Sequence, residues 1–247
     1  MGESIQNAVA DIQSTDLRWK DLYRIGAVAC ITVVVLVMLA IIAFFIWPYA
    51  PGSAPTEDIL IALQDDLLGG LVSLDMLLLV IELVTVLPLL ALYVALKPVN
   101  ESYALIALVL GLIAVVSFIV ARPLTELVLL SEKYATATSE VARSQYVAAG
   151  EALLALFDGT AWAIGTVLTG VSALISSLLM LRSAVFSRTT AYAGIVASAP
   201  GFGFFIPVIG PVLLFVVTFG GVIWYILIAR MLFRLGWGNP DAPHTVQ

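Results

Sequence analysis

The chain of 247 residues is 62% hydrophobic and only 11% charged, whereas a soluble domain carries roughly 25% charged residues. Its formal net charge of −6, without a basic stripe, excludes a nucleic-acid-binding surface. A single cysteine (Cys30) and a single histidine (His244) exclude an intrachain disulfide, a thiolate metal site and a multi-histidine site, and we expect no cofactor. Several apolar runs are long enough to cross a bilayer, so the sequence predicts an all-α, polytopic transmembrane helix bundle.

The first apolar run, 22–47, follows a polar segment, as the core of a signal peptide does. It is much longer than the 7–15 apolar residues of such a core. The sequence PYAPGSAP also places prolines where a cleavage site needs small residues. We therefore interpret this run as an uncleaved first span.

Five further apolar runs follow, which gives six predicted spans: 22–47, 71–96, 103–120, 160–181, 191–206 and 211–233. The fifth is short and interrupted by glycine and proline (ASAPGFGFFIPVIGP). We therefore predict a cytoplasmic segment at 1–21, one transmembrane domain at 22–236 and a cytoplasmic tail at 237–247. External segments are expected near 48–70 and 121–159.

Lysine and arginine predict the orientation, because short cytoplasmic loops retain them. Eight of the 11 basic residues fall on one side of the six spans: Arg18, Lys20, Arg24, Lys97, Arg182, Arg188, Arg230 and Arg234. The other three are Arg122, Lys133 and Arg143. Both termini are therefore predicted to be cytoplasmic.

The predicted outer face is acidic, with Glu57, Asp58, Asp65, Asp66, Glu126, Glu132, Glu140 and Glu151. A solvated exterior explains these charges, and attraction of cations or of a basic partner is the alternative. The segment PTEDILIALQDDLLGG predicts a helix along the outer interface that Thr56 caps. Its apolar stripe consists of Ile59, Leu60, Leu63 and Leu67.

A longer external segment, SEKYATATSEVARSQYVAAGEALLALF, contains no proline and is rich in alanine and glutamate. This composition favours helix. We expect a packed external hairpin whose second helix extends the fourth span outward.

Two acids lie inside the second span. Asp75 and Glu82 are seven residues apart, about two helical turns, and so project from one face. Asp75 lies near the outer interface, and Glu82 lies about 16 Å deeper than Leu71 at 1.5 Å per residue. A charged acid at that depth costs at least ~2.5–3.5 kcal/mol, so it must be neutral, paired or hydrated.

Arg122 ends the third span at the depth of Asp75, so an Arg122–Glu126 or an Arg122–Asp75 ion pair is possible. Asp158 enters the outer leaflet on the fourth span and could join them. In a functional interpretation, Glu82, Asp75, Asp158 and Arg122 form an ion or proton path. In a structural interpretation, Glu82 is protonated and hydrogen-bonds across the bundle. We favour the second, because one acid alone lies deep and no cytoplasmic acid completes a route.

Two prolines mark breaks in or after the second span. Pro88 frees a backbone carbonyl in the second span and permits a kink. In the turn KPVN, Pro98 stops the second span and Asn100 can cap the third.

The sequence contains no GxSxG, HExxH, Walker A or dinucleotide-binding motif, so we do not expect an enzyme.

The stretch ALYVALKPVNESYALIALVLGLIA resembles a family of bacterial and archaeal six-helix membrane proteins known only as a domain of unknown function. LYRIGAVACI, LRSAVFSRTTAYAGIVASAPG and IWYILIARMLFRLG are similar to other parts of that family. The resemblance covers most of 22–236 and implies a six-span bundle in the plasma membrane of a prokaryote, without an activity.

Two classes of function remain. The first is a non-enzymatic accessory or interaction subunit in the lipid bilayer, bound to another membrane protein or to a second copy. The second is a small transporter or channel for a cation, a proton or a small solute that uses the intramembrane acids. The two differ in whether Glu82 faces a hydrated cavity or a dry helix contact.

Overall fold

The computed structural model describes residues 19–198 and 210–237, and its ordered elements there are helices. In chain order they are α1 (Lys20–Ile46), α2 (Thr56–Asp65), α3 (Leu67–Ser73), α4 (Met76–Leu96), α5 (Glu101–Val120), α6 (Leu124–Thr136), α7 (Glu140–Leu154), α8 (Thr160–Arg182), α9 (Arg188–Ser198) and α10 (Gly210–Trp237). No strand is present in these two ranges, so the predicted all-α class is confirmed.

Five stretches among the described residues are long and apolar enough to cross a membrane: Lys20–Ile46, Met76–Leu96, Glu101–Ala135, Thr160–Arg182 and Thr218–Trp237. They coincide with predicted spans one, two, three, four and six. The protein is therefore a polytopic, membrane-embedded helix bundle. Helix α9 covers the first part of the predicted fifth span, but 199–206 lie outside the described residues. The fifth span stays a prediction.

Six helices pack in a closed ring, in the order α1, α4, α5, α8, α9, α10 and back to α1. Helix α4 also touches α8 across the ring. Small residues allow the close approach, as is typical of helices in lipid. A Cβ added to Gly26 of α1 would lie 2.4 Å from the Cβ of Ala91 on α4, and Gly165 of α8 faces the ring of Phe118 on α5.

A second layer of helices, α2, α3, α6 and α7, covers the end of the ring where α4 begins. We call it the outer layer, following the predicted orientation. It has an apolar core of its own, formed by Ile59, Leu63, Leu74, Leu124, Leu127 and Phe157. The predicted stripe on α2 is buried at Ile59, Leu60 and Leu63, whereas Leu67 is 49% exposed at the start of α3.

The helix ends settle two local predictions. Asn100 caps α5, since its side chain accepts a hydrogen bond from the Tyr103 backbone N–H at 3.1 Å. The prediction that Thr56 caps α2 is wrong, because the helix begins one residue earlier than that cap requires and Pro55 precedes it without a side-chain bond. Helix α4 runs through Pro88 from Met76 to Leu96.

The long external segment forms the expected hairpin, with α6 packed against α7. The prediction that its second helix extends the fourth span outward is wrong. A turn at 155–159 separates α7 from α8, and Gly159 is the residue that precedes α8. Because of this turn, α7 lies within the outer layer and packs on α2.

Candidate functional site

Arg122 follows α5 at the outer end of the ring, and its side chain is only 2% exposed. Its Nη2 and Nε both donate to Asp75 Oδ2, at 3.0 and 3.3 Å. Its Nη1 donates to the backbone oxygens of Phe157 at 2.9 Å and of Ala121 at 3.3 Å. A buried charge is tolerated only when it is paired and hydrogen-bonded, and this guanidinium is both.

Aromatic rings complete the surroundings of the guanidinium. Its central carbon lies 4.4 Å from the centroid of the Trp162 ring and 4.7 Å from that of the Phe157 ring. Trp162 in turn packs edge-on against Phe118, with 4.9 Å between the centroids. Cation–π contacts strengthen when they are desolvated. We refer to Arg122, Asp75, Phe157 and Trp162 as the Arg122 cluster.

The backbone of Asp75 determines where its carboxylate points. Its φ of 65° and ψ of 29° lie in the left-handed region, where an L residue costs roughly 1–2 kcal/mol. Asp75 is the residue before α4, yet its side chain makes no cap bond there. The carboxylate faces Arg122 instead, with 37% of the side chain exposed.

The Arg122 cluster joins three separate connections of the chain. Asp75 lies between α3 and α4, Arg122 between α5 and α6, and Phe157 between α7 and α8. Each connection leads from the outer layer into or out of the ring. The cluster therefore fastens the outer layer to the membrane bundle.

Of the predicted site residues, Arg122 and Asp75 are brought together directly. Glu126 is exposed in the first turn of α6, and Arg122 pairs with Asp75 instead of with it. Asp158 is exposed beside Phe157, and within the described residues no hydrogen bond joins it to Arg122. The Asp158 carboxylate nevertheless acts, together with that of Asp75, on the nearby Tyr49 phenol. Burial is the main cause of the raised pKa of Tyr49, and the two carboxylates raise this pKa further.

Glu82 lies deeper on α4 and is half-buried. In the described part of the chain its carboxylate accepts no hydrogen bond. The Tyr225 phenol from α10 lies beside the Thr85 hydroxyl, one helical turn further along α4 than Glu82. Thr85 itself donates to the Ile81 carbonyl at 2.9 Å.

Sequence reasoning did not identify Phe157, Trp162, Thr85 and Tyr225 as neighbours of these charges. Trp162 carried a usable signal, since it lies at the outer end of the fourth span and therefore at the depth of Arg122. Phe157 contributes a backbone oxygen, and because every residue has one, the residue type gives no sign of this contact. For metal binding, no three His, Cys, Asp or Glu side chains come together anywhere in residues 19–198 and 210–237.

Residues 28–236 match the family described as Domain of unknown function (DUF4386). No curated protein and no solved structure matches the chain. The family match covers most of the chain and confirms the resemblance to an uncharacterised family. The KPVN turn as a mark of that family stays a prediction.

Proposed function

Because the chain belongs to the DUF4386 family, whose description names no activity, we propose a function from its own residues. The protein is a non-enzymatic accessory or interaction subunit of a prokaryotic cell membrane. Its partner is another membrane protein or a second copy of this chain. The outer layer is the part that docks.

We also propose six spans with both termini cytoplasmic. Two features support this topology. Helix α9 takes a full place in the ring between α8 and α10, as a spanning helix would. Eight of the 11 basic residues then lie on the cytoplasmic side, as short loops require.

The observation that carries the docking role is the construction of the outer layer. Its helices are bonded to each other: Ser131 Oγ donates to the Leu60 carbonyl at 2.6 Å, Gln64 Nε2 donates to Ser131 Oγ at 3.0 Å, and Tyr134 donates to Glu57. Surfaces that are pre-organised in this way bind with little rearrangement.

The outer layer also leaves large apolar side chains uncovered. Val141 on α7 is 68% exposed and Leu129 on α6 is 52% exposed. Exposed acidic residues lie near them along the chain, with Glu132 three residues after Leu129 and Glu140 next to Val141. Apolar positions with a polar rim are the usual composition of a protein–protein interface.

The absence of catalysis in this proposal rests on the sequence. No motif that supplies a nucleophile with its base, and no phosphate-binding loop, occurs in the 247 residues. The buried cation of the site, Arg122, is already bonded to Asp75 and to a backbone carbonyl. It therefore supports structure more directly than chemistry.

Site-specific photocrosslinking in native membranes tests the proposal. A crosslinking residue at Val141 reports on the outer layer, and the same residue at Val116 of α5, 59% exposed on the ring, is the control. We expect one adduct of defined mass from Val141 and none from Val116. Val141→Asp should abolish association of the same partner. Equal adducts at both positions, or none at Val141 and Leu129, would contradict the docking role.

Glu82 supports a second candidate, a proton or cation transporter. Its position as an acid inside the membrane portion of α4, Met76–Leu96, is the observation in favour. Purified protein in liposomes with an internal pH dye would then show flux that Glu82→Gln abolishes. Glu126→Gln, at an exposed outer acid, is the matched control and should leave the flux unchanged. Folded protein without flux, in both variants and in wild type, would remove this candidate.

A further inference from the structure

A groove of about 280 Å³ runs along the lipid-facing side of the ring, between α1 and α10. It is lined by Val28, Ile31, Thr32, Val35, Leu36 and Phe233. The one hydroxyl in this set, that of Thr32, donates to the Val28 carbonyl at 3.0 Å. The groove therefore presents a hydrocarbon wall to the bilayer.

The length of the groove matches one leaflet. Val28 and Leu36 are eight residues apart on α1, which at 1.5 Å per residue is about 12 Å along the helix. Half of the hydrocarbon core of a bilayer is about 15 Å thick. A single acyl chain that enters at the Val28 end would be in contact for most of its depth in that leaflet.

Arg24 lies one helical turn before Val28, at the end of the groove near the start of α1. Its guanidinium stacks over Trp237 at 5.3 Å, and its Nε donates to the Gly236 carbonyl at 2.9 Å. Its Nη1 bonds to Asp21 at 3.2 Å. Among the described residues Nη2 has no acceptor, and the Arg24 side chain is 42% exposed.

The same end of the groove carries further positive charge. Arg230 and Arg234 are exposed and four residues apart on α10, and Phe233 and Trp237 lie on the same helix face. The aromatic rings of Phe233 and Trp237 stack with 4.8 Å between their centroids. Asp21, the acid bonded to Arg24, is 87% exposed, so water weakens its effect.

We propose that this groove binds one anionic phospholipid of the leaflet that contains the first turns of α1. The phosphate is held by the Nη2 of Arg24, with Arg230 and Arg234 beside it. One acyl chain lies along α1 from Val28 to Leu36. Gly236 makes this geometry possible, because a Cβ there would lie 2.8 Å from Arg24 Cγ and would displace the guanidinium. The inference is independent of the docking role of the outer layer.

Native mass spectrometry of the delipidated full chain in a mild detergent tests the site. Phosphatidylglycerol and phosphatidylcholine with identical acyl chains are the probes, and inorganic phosphate is added in a third arm. We expect one bound phosphatidylglycerol, with at least about five-fold tighter binding than phosphatidylcholine, since a single basic residue near the surface adds about that factor. Inorganic phosphate should not bind, because it cannot use the groove.

Variants separate the headgroup site from the chain site. Arg24→Gln should reduce phosphatidylglycerol binding about five-fold and so narrow its preference over phosphatidylcholine. Ile31→Trp fills the groove and should weaken both lipids. Val116→Trp, on the exposed face of α5, controls for bulk on a lipid-facing helix and should change neither. Equal affinity for the two lipids in wild type, or unchanged binding in Ile31→Trp, would overturn the proposal. Loss of a dimer mass in Ile31→Trp would also overturn it, because the groove would then be a contact between two copies of the chain.

Discussion

Arg122 and Asp75 form an ion pair, 3.0 Å between Nη2 and Oδ2, in which the two partners differ in exposure: 2% for the arginine side chain and 37% for the aspartate. The asymmetry matters because the cost of breaking the pair is concentrated on the buried partner. An arginine left without its carboxylate in a buried position is an uncompensated charge. Asp75, by contrast, retains access to water.

We expect Asp75→Asn to lower the free energy of unfolding by about 2–3 kcal/mol, below the 3–5 kcal/mol of a fully buried pair because Asp75 is partly exposed. Thermal or denaturant unfolding of the purified protein in detergent measures it. Asp158→Asn, at a nearby exposed carboxylate, is the control and should stay within about 0.5 kcal/mol of wild type. Equal losses in the two variants would show that the pair itself contributes nothing.

Removing both charges should cost less than removing one. The double variant Asp75→Asn with Arg122→Met leaves no unpaired charge, and a neutral replacement of a buried ion pair is often tolerated. We expect it to be more stable than Asp75→Asn alone by about 1 kcal/mol, a coupling that a double-mutant cycle detects. Strict additivity of the two single changes would contradict a direct Arg122–Asp75 interaction.

The left-handed backbone of Asp75 allows a separate comparison. Both Asp75→Ala and Asp75→Gly remove the carboxylate, but only glycine adopts a φ of 65° without a steric penalty. Asp75→Gly should therefore be about 1 kcal/mol more stable than Asp75→Ala in the same unfolding assay. The reverse order would mean that residue 75 has an ordinary backbone conformation in the folded protein.

The packing of the ring is tested at the close contact between α1 and α4. Gly26→Ala places a Cβ 2.4 Å from that of Ala91, so α1 and α4 must separate, and we expect a loss of about 1–3 kcal/mol. Gly221→Ala on α10 is the control, since nothing lies within 4 Å of a Cβ there. It should be neutral or slightly stabilising, as alanine is the better helix former. A neutral Gly26→Ala would argue against the packing of α1 on α4.

Much of the fold could be predicted from sequence because a bilayer imposes length and polarity on each span. Five spans and the Asn100 cap follow from these rules, and matching depths along the spans already bring Arg122 level with Asp75. The faces of the spans could not be predicted in the same way. A helix that is apolar all round has no hydrophobic stripe to mark its inner side. The approach of Tyr225 to Thr85 could therefore be recognised only once the order of the helices in the ring was known.

The contacts of Arg122 that depend on a backbone group or on a turn could not be predicted from the sequence. The Phe157 carbonyl reaches Arg122 because the chain turns at 155–159, and the sequence there reads as a continuous helix. The choice of Asp75 over Glu126 also depends on this geometry. Helical spacing alone favours Glu126, four residues after Arg122, but the helix breaks between them at Pro123.

The fastening of the outer layer by the Arg122 cluster is tested most directly by hydrogen exchange. Backbone amide exchange of α2, α6 and α7 would be compared between wild type, Asp75→Asn and the Asp158→Asn control, with α8 as the internal reference. We expect Asp75→Asn to raise exchange at least several-fold in the outer layer, while protection of α8 and the control variant remain as in wild type. Unchanged protection of α2, α6 and α7 in Asp75→Asn would contradict the account.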